Sequence, residues 1–167
     1  MKKSWIVGVL ALSAIFATGA ANAASANATA QIVTAIAISN TGDLSFGRII
    51  SAVGAGTVVL APATDIRTPT GVTLASATGA TAASFAVTGT GTDTYAITLP
   101  SAAIAITRTT GAEAMSVSTF TSFPSVANGG ALTGGAQTLK VGATLNVGAG
   151  QLSGDYIGTF DVTVAYN

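Results

Sequence analysis

The chain has 167 residues, the length of one domain, and its six basic and six acidic side chains cancel. Charged residues make up only 7%, which excludes the concentrated basic footprint that nucleic-acid binding needs. A hydrophobic share of 49% excludes a disordered chain, and the absence of Cys and His excludes disulfide staples, a Ser-His-Asp triad, a thiolate nucleophile and an ordinary zinc site.

In chain order, Lys2 and Lys3 form a short positive start, Trp5 to Ala17 an apolar run, and Ala21-Asn22-Ala23 a small-x-small cleavage pattern. These are the parts of a secretory signal peptide over residues 1–23. The apolar run falls short of the roughly 20 residues that span a bilayer, and no second candidate span follows. Cleavage after Ala23 removes two lysines and leaves four basic against six acidic residues. Residues 24–30 are small and polar, and read as a flexible N-terminal segment.

From Gln31 to Ile38, Ile32, Ile36 and Ile38 share one parity, the first strand pattern of a domain expected to cover residues 31–167. Asn40-Thr41-Gly42-Asp43 reads as a turn, and Leu44 to Gly47 as a short extended segment. Val58-Val59-Leu60 is a compact apolar strand, and Val72-Thr73-Leu74 follows the turn material Thr68 to Gly71. Phe85 and Val87 alternate up to a Gly-containing loop, and Tyr95, Ile97 and Leu99 alternate down from it, which predicts a hairpin. Ile104-Ala105-Ile106 and Met115-Ser116-Val117 are shorter strand candidates. A glycine loop over residues 128–135 precedes Leu139, Val141, Ala143, Leu145 and Val147, which alternate cleanly.

After the turn Gly148 to Gly154 the chain ends in its strongest strand pattern. Tyr156, Phe160, Val162, Val164 and Tyr166 share one parity, and Thr159, Asp161 and Thr163 the other. Many short alternating strands without a helical period predict an all-β sandwich of antiparallel strands, of the immunoglobulin type. No internal repeat favours a propeller or solenoid.

No constellation for catalysis, cofactor or metal emerges. Asp155 and Asp161 share a strand pattern but stand roughly 20 Å apart along it, beyond the reach of a glycosidase pair. Gly148 to Gly154 has one residue too many for a dinucleotide fingerprint and leads into a strand. The remaining acids are lone loop residues.

The terminal stretch resembles the assembly motif of chaperone–usher pilus subunits. Counting back from Asn167, Gly154 is fourteenth and Tyr166 penultimate, with alternating apolar residues between them. The longer pattern is similar to the bacterial family named domain of unknown function 4402. Its landmarks are Gly42-Asp43-Leu44-Ser45-Phe46-Gly47, Val141-Gly142-Ala143-Thr144-Leu145 and Gly154-Asp155-Tyr156-Ile157-Gly158-Thr159-Phe160.

The pilus resemblance implies an incomplete immunoglobulin-like fold whose last strand borders a groove. A periplasmic chaperone and then a neighbouring subunit fill that groove by strand addition, at an outer-membrane usher. It makes Gly154, Tyr156, Phe160, Val162, Val164 and Tyr166 the assembly-facing strand. It sends the chain to the periplasm and then to a surface fimbrium serving adhesion or biofilm. Ile32, Ile36 and Ile38 fit the alternation of a donor strand, with residues 24–30 as part of it. They equally fit the domain's own first strand, and the rival reading is a self-complete secreted sandwich that binds a ligand or coats the surface.

Overall fold

The computed structural model describes residues 23–76 and 79–167. The expected signal peptide lies outside them, apart from residue 23. Residues 23–31 are exposed and belong to no strand. The domain proper, Ile32–Asn167, is all-β among its described residues, as the alternation predicts.

Its strands are β1 Ala37–Gly42, β2 Ile49–Ile50, β3 Gly56–Leu60, β4 Arg67–Thr70, β5 Thr73–Leu74, β6 Ala83–Thr88 and β7 Thr94–Thr98. They continue with β8 Ile104–Arg108, β9 Ala114–Phe123, β10 Gly130–Ala131, β11 Ala136–Val147, β12 Tyr156–Ile157 and β13 Thr163–Tyr166. All the pairings are antiparallel. A large sheet runs β1-β6-β11-β9-β8-β12, with β3 and β4 attached to β11. A small sheet runs β10-β7-β13, and β2 pairs with β5.

β11 is the spine. Leu139, Val141, Ala143, Leu145 and Val147 point into the core, while Lys140, Thr144 and Asn146 stay half exposed on its other face. β9 pairs along one edge of β11. The other edge is shared, with β6 against Ala136–Val141 and β3 against Thr144–Val147. Between Gly142 and Thr144 the register with β9 shifts. Thr119 takes a φ of 49° there, and this bulge turns Phe120 toward the core, where unbroken alternation would have put Thr119.

The core has two parts. One packs Phe85, Val87, Leu139 and Val141 of the large sheet against Tyr95, Ile97 and Leu132 in and beside the small sheet. The other packs Val58, Leu60, Val117, Leu145 and Val147 against Phe46 and the half-buried Ile49, Val72 and Leu74. Only the first part is roofed by a regular sheet. Over the second the roof is short strands and irregular chain.

Several expectations shift. The predicted hairpin does not form: β6 pairs with β1 and β11, whereas β7 pairs with β10 and β13. Val87, Tyr95 and Ile97 meet across the core, so the 89–93 loop carries the chain from one sheet to the other. The first strand begins at Ala37 and runs through the predicted turn to Gly42, with a bulge between Asn40 and Gly42. Asn40 holds that bulge: its Oδ1 accepts from Gly42 N at 2.7 Å, and its Nδ2 donates to Asp43 Oδ1 at 2.9 Å. Thr68 to Thr70, expected as turn material, fall in β4 on the outer edge, where Pro69 lies.

Asp65 ties the β3–β4 connection to the large sheet. It adopts a φ of 58°, accepts from Ala82 N at 2.7 Å and pairs with Lys140 Nζ at 2.9 Å. The Lys140 ammonium and then the Ala82 amide hold its carboxyl below the ordinary carboxylate value. With the folded pKa lower than the unfolded one, this link contributes stability above about pH 4, which is lost as pH falls through the folded value. Asp65→Asn is therefore expected to lower Tm at pH 7 and to converge with the parent chain once the pH falls below the folded value. Thermal scans across that range check it; a constant gap at every pH would refute the link.

Candidate assembly groove and terminal strand

The terminal strand is one segment by sequence pattern but two strands by pairing. Tyr156 and Ile157 pair with Arg108 and Thr107 at the edge of the large sheet. Thr163–Tyr166 pair with Thr98–Tyr95 at the edge of the small one. Residues 158–162 cross between the sheets and belong to no ladder. The crossing skims the backbone of β8: a Cβ added at Gly158 would lie 2.5 Å from the Ala105 carbonyl oxygen.

The predicted parity holds along this segment. Tyr156, Phe160, Val162, Val164 and Tyr166 are all half-buried, and Thr159, Asp161, Thr163 and Ala165 are exposed. Gly154 stands at φ 150° beside the Arg108 side chain, whose Nε donates to Ser153 O at 2.9 Å. Tyr156 staples the preceding turn: its hydroxyl donates to Leu152 O and accepts from Gln151 Nε2, each at 2.8 Å. Phe160 sits where the two cores meet, with its ring centroid 6.4 Å from Phe85 in an edge-to-face arrangement and 5.0 Å from Phe120. Val162 and Val164 pack against the first core cluster.

Beside the crossing lies a cavity of about 1100 Å³. Ile104, Ile106, Met115, Val117, Leu145 and Val147 form its apolar floor. Residues 43–51 make one wall and residues 151–160 the other. Arg48, Asp43, Gln151 and Asp155 bring polar groups to its lining. An apolar floor beneath chain that lacks ladder partners can receive an extended polypeptide, with backbone bonds for affinity and alternate side chains for selection.

The three isoleucines part company. Ile38 lies in β1 opposite Val87, and Ile36 packs against the first core, so both are used within the chain's own domain. Ile32 is 98% exposed.

Tyr166 does more than pack. Its hydroxyl donates to Thr34 O at 2.8 Å and accepts from Thr90 N at 2.8 Å, while Thr90 Oγ1 accepts from Thr34 N at 2.7 Å. A Cβ at Gly89 would fall 2.3 Å from that hydroxyl, so the loop must be bare there for the bonds to form. Sequence reasoning singled out Tyr166 but not Thr34 and Thr90, which are 132 and 76 residues away along the chain. It also missed the cavity floor, since Ile104, Ile106 and Met115 carry no mark beyond ordinary strand alternation.

No helix among the described residues is long and apolar enough to cross a membrane. No curated protein and no solved structure matches the chain. A family model does, over residues 36–166, which takes in β1, both cavity walls, and the terminal strand up to Tyr166. The chain thus belongs to the family described as domain of unknown function DUF4402.

Proposed function

We propose that this protein is an exported structural subunit of a fimbria-like surface fibre, joined to its neighbours by β-strand addition. The observation that carries the reading is the terminal strand. It pairs at its two ends in different sheets and leaves residues 158–162 unpaired beside the apolar cavity. An edge of that kind invites a further strand. On this reading the fold is an immunoglobulin-like sandwich with one position open. The Lys2-Lys3 leader pattern directs export. A periplasmic chaperone covers the open position until an outer-membrane usher and the next subunit replace it. The work of such a protein is mechanical and adhesive rather than enzymatic.

A second reading has its own support. Ile36 and Ile38 already pack within the domain, as they would in a self-complete secreted sandwich that coats the surface or binds a ligand in the cavity.

Met115→Glu separates the two. Met115 is half-buried on the cavity floor, where a carboxylate remains compatible with folding but not with a covering strand. Under the fibre reading, sheared surface material contains fibres of this chain, and the variant reduces their yield about tenfold or more while its thermal transition stays cooperative. Monomer alone in the parent preparation, or an unchanged fibre yield in the variant, would rule the fibre out.

A further inference from the structure

We infer that the connections 51–55 and 148–154 together form an apolar tip that docks on a lipid bilayer, with Val53 and Leu152 entering between the headgroups. The inference goes beyond the fibre reading and stands whether or not copies of the chain join.

Two connections remote in sequence meet at this tip. Val147 at the end of β11 pairs with Gly56 at the start of β3, so the chain leaving β11 and the chain entering β3 emerge side by side. Gly150 N donates to Ala52 O at 2.9 Å and Ser51 Oγ to Gln151 O at 3.0 Å, which fixes one loop to the other. On the outside stand Val53, 96% exposed, and Leu152 and Ile50, each more than half exposed. Scattered apolar side chains are ordinary on a protein surface, but exposed loop tips favour small and polar residues. Residues 51–55 and 148–154 carry no ionisable side chain.

The loop backbone is prepared for the same surroundings. Where water is scarce, a carbonyl without a donor is costly. Here the carbonyls of Ala52, Gly148, Gln151, Leu152 and Ser153 each take a donor from within the molecule. Those donors are Gly150 N, Gln151 N, Ser51 Oγ, the Tyr156 hydroxyl and Arg108 Nε, in the same order.

Shape and charge choose the occupant. A Cβ added at Gly54 or Gly150 would meet nothing within 4 Å, so the tips stand clear of the rest of the domain. A folded partner would have to offer a separate socket for each side chain, whereas a fluid bilayer moulds around them. Val53 is not among the residues lining the cavity, so its exposure belongs to the tip alone. Behind the tips Arg48 and Asp155 are exposed and Arg108 pairs with Glu113 at 3.4 Å, so the charges cancel. The hold on lipid is therefore apolar, a shallow insertion of about 5–10 Å that needs no anionic headgroup.

Trp5, the chain's one tryptophan, lies in the expected leader, so in the exported protein Val53→Trp reports from the tip alone. With vesicles of zwitterionic phosphatidylcholine its emission should shift to the blue, and brominated acyl chains should quench it. The parent protein should float with the same vesicles in a density gradient, at high salt as at low. Val53→Asp combined with Leu152→Asp should cut the bound fraction about tenfold or more. Both side chains are exposed, so the melt should stay within about two degrees of the parent.

A parent that never floats, or Val53→Trp emission that vesicles leave unchanged, would overturn docking. So would binding confined to anionic vesicles and released by salt, which would mark adsorption through Arg48 instead. Self-association of the parent that the paired variant abolishes, with no vesicle binding, would give the tips to a protein contact and overturn the bilayer.

Discussion

Tyr95→Ala is expected to abolish the cooperative thermal transition or to lower Tm by more than any other single truncation in the small sheet. Tyr95 is 0% exposed and sits in β7, between β10 and β13. Its hydroxyl donates to Gln137 Oε1 at 2.6 Å, and the same oxygen accepts from Ala131 N at 3.1 Å. The ring therefore fills the core between the sheets, while its polar end ties β7 to β11. Emptying a buried aromatic site costs about 3–5 kcal/mol, against a total of about 5–15 kcal/mol for a typical domain. Tyr95→Phe isolates the hydroxyl and should cost about 1 kcal/mol. Denaturant melts of both variants give the two contributions separately. The ring also explains Gly130, where an added Cβ would lie 2.0 Å from Tyr95 Cζ. Gly130→Ala should thus be harmful alone and much less so on the Tyr95→Ala background. A Tyr95→Ala protein that melts within about two degrees of the parent would contradict this account.

Gly142→Val should be the most damaging change on the spine. Gly142 is buried in β11 where the shared edge passes from β6 to β3. A Cβ there would sit 2.1 Å from the Leu60 carbonyl oxygen and 2.9 Å from Pro62 N. Both are backbone atoms at the end of β3, so relief requires moving that strand rather than turning a side chain. Overpacking of this kind costs about 1–3 kcal/mol where neighbours can yield, and more where they cannot. The expected result is insoluble protein, or a melt lowered by more than about 10 °C. Gly142→Ala, with one methyl, should fall between it and the parent. Amide exchange would show the loss first in Val58–Leu60. If Gly142→Val folded with β3 protection unchanged, the close approach assigned to this glycine would be wrong.

The cavity and the terminal strand differ in how much of them could be read in advance. Alternation in Tyr156, Phe160, Val162, Val164 and Tyr166 announced which side of the terminal strand faces inward, because side chains on extended chain alternate whatever the strand pairs with. The same rule drew out the inner face of β11. It marked only Met115-Ser116-Val117 of β9 and could not have been carried further, because a bulge opposite Gly142 and Thr144 resets the parity before Phe120. It also took Phe85-Val87 and Tyr95-Ile97 for a hairpin, since alternation and a Gly loop are equally satisfied when the second strand crosses to the other sheet.

Local chemistry, then, settled in the sequence alone that this chain is all-β, that it lacks thiol and imidazole chemistry, that it carries the landmarks of its family, and which face of the last strand is apolar. Each of these depends on residue type or on spacing over a few residues. Tertiary structure decided that the last strand divides between two sheets, that Ile36 and Ile38 pack on their own domain's core while Ile32 stays exposed, and that Tyr166 meets Thr34 and Thr90. Those outcomes turn on which strands become neighbours across distances of up to 132 residues. Period-two patterning is the same for every partner a strand could take, so the choice falls to packing: to where Phe160 and Tyr95 find room, and where Gly158 and Gly142 let two backbones pass.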